Sequence, residues 1–175
     1  MIRRWLFGSG SAAPDTAAWW RQADAIAAAT DGIDLTVLRT SLINDDPDER
    51  ERQEEMLDGL EVLASLRTRG TLPVVATQHR VVGSEACHAI VPVTTTGSAA
   101  GPATLFLTSA RVVLMRGQTQ SWAWHRVRLV RTGRDLAIVA SGTEAPEVVQ
   151  CNSYGDALRA VHLADHLRRS RSVSA

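Results

Sequence analysis

The chain has 175 residues, of which 45% are apolar, and its 19 basic and 19 acidic side chains leave a formal net charge of zero. This length and apolar content suffice for a packed domain of ordinary size and exclude general disorder. The balanced charge argues against general affinity for nucleic acid, so nucleic acid is not the expected partner.

The two halves of the chain differ in charge. Residues 1–70 contain 8 arginines and 13 acidic residues, whereas residues 71–175 contain 11 arginines and 6 acidic residues. We therefore expect the acidic half to dock on the basic half. The alternative is that both halves simply present solvated surfaces of opposite sign.

The cysteines and the N-terminus predict where the protein resides. Cys87 and Cys151 form neither a disulfide framework nor a metal knuckle, which is typical of a reducing, cytoplasmic compartment. Residues 1–13 begin with two arginines and a short apolar run and then become rich in glycine and serine, which predicts a flexible tail. The sequence contains no run of 18 apolar residues, so no transmembrane helix is expected.

Helical periodicity dominates residues 14–70, which we interpret as an α-helical extension. Helices are predicted over residues 14–30, 34–44 and 46–69. The last of these begins with Asp46 as its cap and Pro47 at its first position. It carries an apolar seam and a separate apolar pair, Val62 and Leu66. Because it has two apolar faces, we expect this helix to contact two neighbours.

From residue 71 onward the apolar period changes to two, which predicts strands. Candidate strands are Val74–Val82, Cys87–Thr94, Ala103–Thr108, Arg111–Arg116, Ser121–Trp124, Val127–Arg131, Leu136–Ala140 and Glu147–Cys151. A final helix over 153–169, capped by Ser153, completes a unit spanning 71–175. Short strands at regular spacing predict a small barrel or sandwich.

The run from Gly101 to Leu114 contains a glycine before an apolar strand, a Leu107-Thr108 end, a tight turn, and Arg111 opening the next strand. This run resembles the start of a GRAM or bacterial PH-like domain, and the order of elements over residues 72–169 is similar to that of the family. The resemblance implies an α+β protein: a PH-like small β-barrel of about seven strands with a C-terminal capping helix that plugs its open end, preceded by the helical extension.

The resemblance also implies a binding module, because PH-like domains bind lipid head groups, peptides or proteins. Lipid-binding members place basic side chains in the loop between the first two strands. Here that region offers Arg80 followed by no basic cluster. We therefore expect weak or no phosphoinositide binding at that loop.

Two residue pairs resemble chemical sites. Cys87 and His88 are a thiol and a base, but neighbouring strand residues face opposite sides, so no nucleophile is expected. His162 and His166 have the spacing of a metal pair, but a zinc site needs further ligands. No catalytic residue, metal or small-molecule cofactor is predicted, and the protein is not expected to be an enzyme.

Arginine and tryptophan supply the candidate binding residues. Arg126 and Arg128 alternate with apolar residues and share one face of a predicted strand, with two tryptophans nearby. Such a face could bind single-stranded nucleic acid by stacking and phosphate contact. The complete set of predicted binding residues is Arg80, Arg111, Trp122, Arg126, Arg128 and Trp20.

The expected function is a non-catalytic interaction module, an adaptor or scaffold that binds a protein partner, forms a homodimer or contacts a membrane surface peripherally. Single-stranded nucleic-acid binding through the arginine and tryptophan face is the alternative, and a cysteine-dependent enzyme is the third reading.

Overall fold

The computed structural model describes residues 15–29, 34–42, 45–96 and 100–172, so the predicted tail over 1–13 lies outside the described residues. The helices are α1 (Thr16–Ala28), α2 (Thr36–Thr40), α3 (Pro47–Thr68) and α4 (Tyr154–Ser172). The strands are β1 (Cys87–Thr95), β2 (Gly101–Thr108), β3 (Arg111–Met115), β4 (Thr119–Ala123), β5 (Val127–Thr132), β6 (Asp135–Ala140) and β7 (Glu147–Cys151). A 3-10 helix, Trp124–Arg126, joins β4 to β5.

Side-chain caps explain where the long helices begin. Asp46 accepts hydrogen bonds from the backbone amides of Asp48 and Glu49 at 3.1 and 3.2 Å. Ser153 Oγ accepts one from the Asp156 amide at 3.0 Å. Each cap satisfies amides that have no partner inside the helix. The predicted starts of α3 and α4 are therefore confirmed.

The seven strands form one antiparallel sheet in the order β4-β3-β2-β1-β7-β6-β5. Together with the C-terminal helix, this arrangement is consistent with a PH-like fold. The end strands β4 and β5 do not pair with each other within the described residues, so the predicted barrel is wrong in one respect: the sheet is not closed. The 3-10 helix separates the two strands, which prevents them from continuing as a hairpin.

The predicted strand Val74–Val82 is wrong. This segment is extended at first, with one backbone bond of 2.7 Å from the Val75 amide to the Cys87 carbonyl, and it then turns. Val82 packs with Phe106 and Val113 on the outer face of the sheet. The segment is apolar because it covers part of that face, and periodicity alone could not separate this role from a strand.

The main core lies between the other face of the sheet and α4. Leu105, Leu107, Trp124 and Leu167 share this core, as predicted. Val113 does not: it pairs with Phe106 in the sheet and faces outward with it. Adjacent residues of a strand alternate between faces, so Val112 and Leu114 occupy the core instead.

A second core joins the three N-terminal helices to α4. It contains Trp19, Leu38, Met56 and Leu60, together with Leu158 from α4. The indole Nε1 of Trp19 donates to the Leu38 carbonyl at 3.1 Å inside this core. Helix α4 thus has one face on the sheet and another on the helical layer.

Helices α3 and α4 meet at two glycines. A Cβ atom built on Gly59 would lie only 2.8 Å from the Gly155 Cα atom, so no larger residue fits without moving the helices apart. Within the same contact, Glu55 accepts a hydrogen bond from the Tyr154 amide at 2.7 Å and pairs with Arg134 of the β5–β6 turn at 2.7 Å. The expected docking of the 46–69 helix is therefore found, and α4 mediates it.

The docking differs from the expectation in its details. Glu51 and Glu54 are exposed, so Glu55 is the α3 carboxylate paired with the sheet within the described residues. Val62 is 46% exposed, whereas Leu66 is half-buried. The second contact surface of α3 is the side that carries Gly59, and the hydropathy pattern does not predict it.

We predict that Gly59→Ala lowers the free energy of unfolding by about 2 kcal/mol, because overpacking a close contact typically costs about 1–3 kcal/mol. Urea denaturation would measure the loss. Gly117→Ala is the matched control, since no atom lies within 4 Å of the Cβ position there. Equal stability of both variants would show that the two helices do not approach closely.

We predict that Glu55→Gln lowers the free energy of unfolding by about 2 kcal/mol, the usual value for a hydrogen bond to a charged group. The loss should shrink at high salt, because salt screens the attraction to Arg134. Glu51→Gln, on the same helix and exposed, should leave stability within about 0.5 kcal/mol of wild type. Equal effects of the two substitutions would contradict the docking contact.

Candidate functional site

The predicted binding residues Arg111 and Trp122 lie on opposite faces of the sheet. Trp122 pairs with Val112 and packs partly against the main core, whereas Arg111 pairs with Ala123 on the outer face. The guanidinium of Arg111 lies 3.1 Å from Glu85 and donates to the Val81 carbonyl at 3.3 Å. The structure therefore does not bring these two residues together into one platform.

Arg126 and Arg128 are exposed, and neither has a carboxylate partner among the described residues. Arg128 pairs with Val139 across β5 and β6, on the face away from the main core, and Arg126 belongs to the 3-10 helix. The neighbouring Trp124 is buried and donates to the Thr108 carbonyl at 2.8 Å. Its ring is thus unavailable for stacking on a nucleobase.

Trp20 and Arg80 lie far apart in the fold. Trp20 is half-buried, donates to Glu49 at 2.6 Å and lies 5.1 Å from the Tyr154 ring, so it packs the helical layer. Arg80 is exposed in the turn before β1 and lines a shallow depression of about 440 Å³. The connection between β1 and β2 is residues 96–100, which in sequence contain no basic side chain.

Ion pairs neutralise most of the arginine-rich stretch between residues 111 and 134. Arg116 pairs with Glu147 at 2.7 Å, and Arg131 pairs with Asp24 of α1. The other pairs, described above, are Arg111 with Glu85 and Arg134 with Glu55. The basic surface expected from the sequence is therefore largely compensated within the chain.

A cleft of about 650 Å³ opens between the helical layer and the sheet. Its walls are the end of α1, the end of α3, strand β5 and the outer side of α4. Apolar side chains line part of it, among them Leu66, Leu72 and Val161. Arginine and histidine side chains line the rest, namely Arg67, Arg131, His162, His166 and Arg169, together with Asp24 and Asp165. A concave surface with apolar walls and a few polar groups is typical of a binding site.

Two groups in the cleft, Arg67 and His162, have lowered pKa values. Burial lowers the pKa of Arg67, and its Nη2 donates to the Ala27 carbonyl at 2.8 Å. Burial also lowers the pKa of His162, and the charges of Arg67, His166 and Arg169 lower it further, against an opposing effect of Asp165. The cleft therefore favours a neutral imidazole and attracts negative charge.

The sequence indicated only part of this cleft. His162 and His166 were recognisable as neighbours on one helical face, but their spacing suggested metal binding. Within the described residues, no group of three or more histidine, cysteine or acidic side chains could hold a metal ion. Arg67 carried no recognisable signal, because its place beside α4 depends on how α3 docks.

The thiols are placed as buried side chains. Cys87 Sγ donates to the Ala89 carbonyl at 3.4 Å, and burial raises its pKa. His88 Nδ1 donates to the Pro73 carbonyl at 2.8 Å, which fixes the orientation of the imidazole ring. Burial is the main cause that raises the pKa of Cys151 to about 12. A thiolate nucleophile is disfavoured at both positions.

None of the described helices combines the length and the apolar character that crossing a bilayer requires.

No family model and no curated protein sequence matches the chain. Among solved structures, it is similar to the DH/PH domain of human ARHGEF11 in a ternary complex with human RhoA and its inhibitor, with a TM-score of 0.46, 10% identity, and coverage of 86% of this chain and 54% of that one. For the DH/PH fragment of PDZRHOGEF in complex with human RhoA, the TM-score is 0.44, the identity 10% and the coverage 87% and 54%.

The N-terminally truncated linker-DH/PH domains of p115-RhoGEF are similar at a TM-score of 0.44 and 10% identity, with coverage of 86% of this chain and 55% of that one. The chain thus spans about half the length of the structures it matches. Since identities and TM-scores are this low, we take the PH-like fold from the strand order and the C-terminal helix of the chain itself.

We predict that a thiol reagent such as Ellman's reagent leaves Cys87 and Cys151 unmodified in the native protein at pH 8. Both are buried, and the raised pKa of each thiol suppresses the reactive thiolate. Both should react fully in guanidinium chloride, which serves as the control. Rapid modification of Cys87 in the folded protein would restore the thiol-enzyme hypothesis.

Proposed function

We propose that the protein is a non-catalytic interaction module that binds an extended segment of a partner protein in the cleft between β5 and α4. The observation that carries the proposal is the cleft itself, with its volume of about 650 Å³ and its mixed apolar and polar lining. Pockets of this size and composition are typical of ligand sites.

The position of β5 supports a peptide ligand. This strand stands at the end of the sheet order, and its residues Leu129, Val130 and Arg131 line the cleft. An end strand has backbone groups without a strand partner on one side, and an extended segment can pair with them. Val130 is 41% exposed and offers an apolar contact beside that edge.

The predicted binding residues lie on different parts of the fold, which weighs against the nucleic-acid alternative. The arginines that would form a phosphate-binding face are mostly paired with carboxylates, and the two tryptophans nearest to them face the main core. Binding at Arg126 and Arg128 stays a prediction, as do self-association and peripheral membrane contact. Membership of the GRAM family is likewise a proposal, supported by the Gly101–Leu114 run folding as the predicted hairpin.

Substitution at the mouth of the cleft tests this function. Ala28 is exposed, lines the cleft and ends α1, so we expect Ala28→Trp to fill the mouth without disturbing a core. Peptides selected from a random display library against the full chain should bind Ala28→Trp about tenfold more weakly than wild type. Thermal unfolding would verify that the variant remains folded.

The matched control is Ala17→Trp, an equally exposed position on the same helix. It lies about 16 Å along the helix axis from residue 28, since α-helices rise 1.5 Å per residue. Selected peptides should bind this variant as they bind wild type. Peptides that bind all three proteins equally, or a selection that yields no binding peptide, would contradict the proposed site.

A further inference from the structure

Arg67 differs from the other half-buried arginines of the described residues. Each of the others forms an ion pair with a carboxylate: Arg111, Arg116, Arg131, Arg134 and Arg159. Arg67 has no carboxylate partner there, and its Nη1 atom has no hydrogen-bond partner. A partly buried charge without a counter-charge is costly, and an anion placed beside it would offset that cost.

Helix α4 presents three further groups to the same part of the cleft. His162, His166 and Arg169 follow one another at four- and three-residue spacing, so they share one face of the helix, and all three line the cleft. Arg169 Nε also donates to the Asp165 carbonyl at 3.2 Å, which keeps the side chain along that face.

The acidic side chains of the cleft only partly balance these groups. Asp24 of α1 is paired with Arg131 of β5. Asp165 is the other acidic residue of the lining, and its effect on His162 opposes those of Arg67, His166 and Arg169. The part of the cleft between α3 and α4 therefore has an excess of positive charge.

We propose that Arg67, His162 and Arg169 form an anion-binding subsite that holds a carboxylate or phosphate group of an acidic segment from a partner protein. Only the identity of the ligand as a protein segment rests on the function proposed above. Arg67 acts mainly through its charge, because Nη2 is held by the Ala27 carbonyl and Nη1 is shielded from solvent. His162 and Arg169 supply the donors that reach the ligand.

Binding at this subsite is coupled to protonation of His162. The groups that face it are Arg67 from α3, the Asp24–Arg131 pair from α1 and β5, and Asp165, His166 and Arg169 from α4. Burial and the positive neighbours favour the neutral form of His162, so its imidazole can take up a proton when an anion binds. A bound anion favours the imidazolium, so binding takes up a proton and tightens as the pH falls.

The test is a titration of the full chain with inorganic phosphate or with acetate, followed by the histidine ring signals in NMR spectra, with chloride at equal ionic strength as the reference. The signals of His162, assigned with a His162→Gln variant, should shift and saturate with at least one of the two anions. Phosphate and acetate affinities then distinguish a phosphate group from a carboxylate. Acetate binding should tighten between pH 7.5 and pH 5.5.

Two substitutions decide whether Arg67 carries the subsite. Arg67→Gln should weaken anion binding about tenfold or more, whereas Arg69→Gln, exposed and outside the cleft lining, should leave it unchanged. If Arg67→Gln fails to fold, Arg169→Gln replaces it, because Arg169 is exposed and its loss should weaken binding without affecting a core. Equal shifts with chloride, or unchanged binding in the folded arginine variant, would overturn the proposal.

The anion titration and the peptide selection test the two proposals independently. Selected peptides that depend on the cleft mouth, together with no saturable anion binding, would refute the subsite and retain the proposed function. Saturable anion binding that needs Arg67, together with no cleft-dependent peptide, would retain the subsite and refute the protein ligand.

Discussion

The close approach of α3 to α4 at Gly59 and Gly155 organises both layers of this protein. Hydrogen atoms in place of side chains let the two backbones meet, since a Cβ on Gly59 would lie 2.8 Å from the Gly155 Cα. Because α4 also packs on the core face of the sheet, this contact helps to join the helical core to the main core. Glu55 reinforces it by bonding to the start of α4 and to the β5–β6 turn.

The packing of the helical layer on α4 and β5 also determines which surface charges are paired. When the helical layer lies against α4 and β5, Asp24 and Glu55 reach Arg131 and Arg134. The acidic and basic halves of the chain thereby neutralise each other at their contact, where partial exclusion of water strengthens the attraction. Among the described residues, positive charge without a carboxylate partner remains at Arg126 and Arg128 and, inside the cleft, at Arg67 and Arg169.

The cleft therefore forms only when the helices and the sheet of the chain pack together. Its walls come from α1, α3, β5 and α4, and no single element contains more than a part of the charged and apolar lining. The pKa values of Arg67 and His162 are lowered by burial, and that of His162 is lowered further by neighbouring positive charge. Such an arrangement suits the proposed recognition of a negatively charged segment.

The sequence by itself determined the long helices, seven of the strands and most of the main core. Asp46, Pro47 and Ser153 are local signals, and the alternation of Leu105 and Leu107 is set by the strand period, so no knowledge of distant contacts was needed.

Only the tertiary structure decided the rest, because it depends on which residues meet across the chain. The segment 74–82 has the apolar pattern of a strand, but in the structure it covers part of the outer face of the sheet. Val113 lies on that same face because it pairs with Phe106, and hydropathy does not predict this register. The contact between Gly59 and Gly155 is not marked by apolar residues in the sequence. The sheet remains open although its strands are predicted well. Arg67 becomes a candidate binding residue only because the packing places it beside His162. Local physics specifies the elements, whereas pairing, burial and counter-charges arise from their packing.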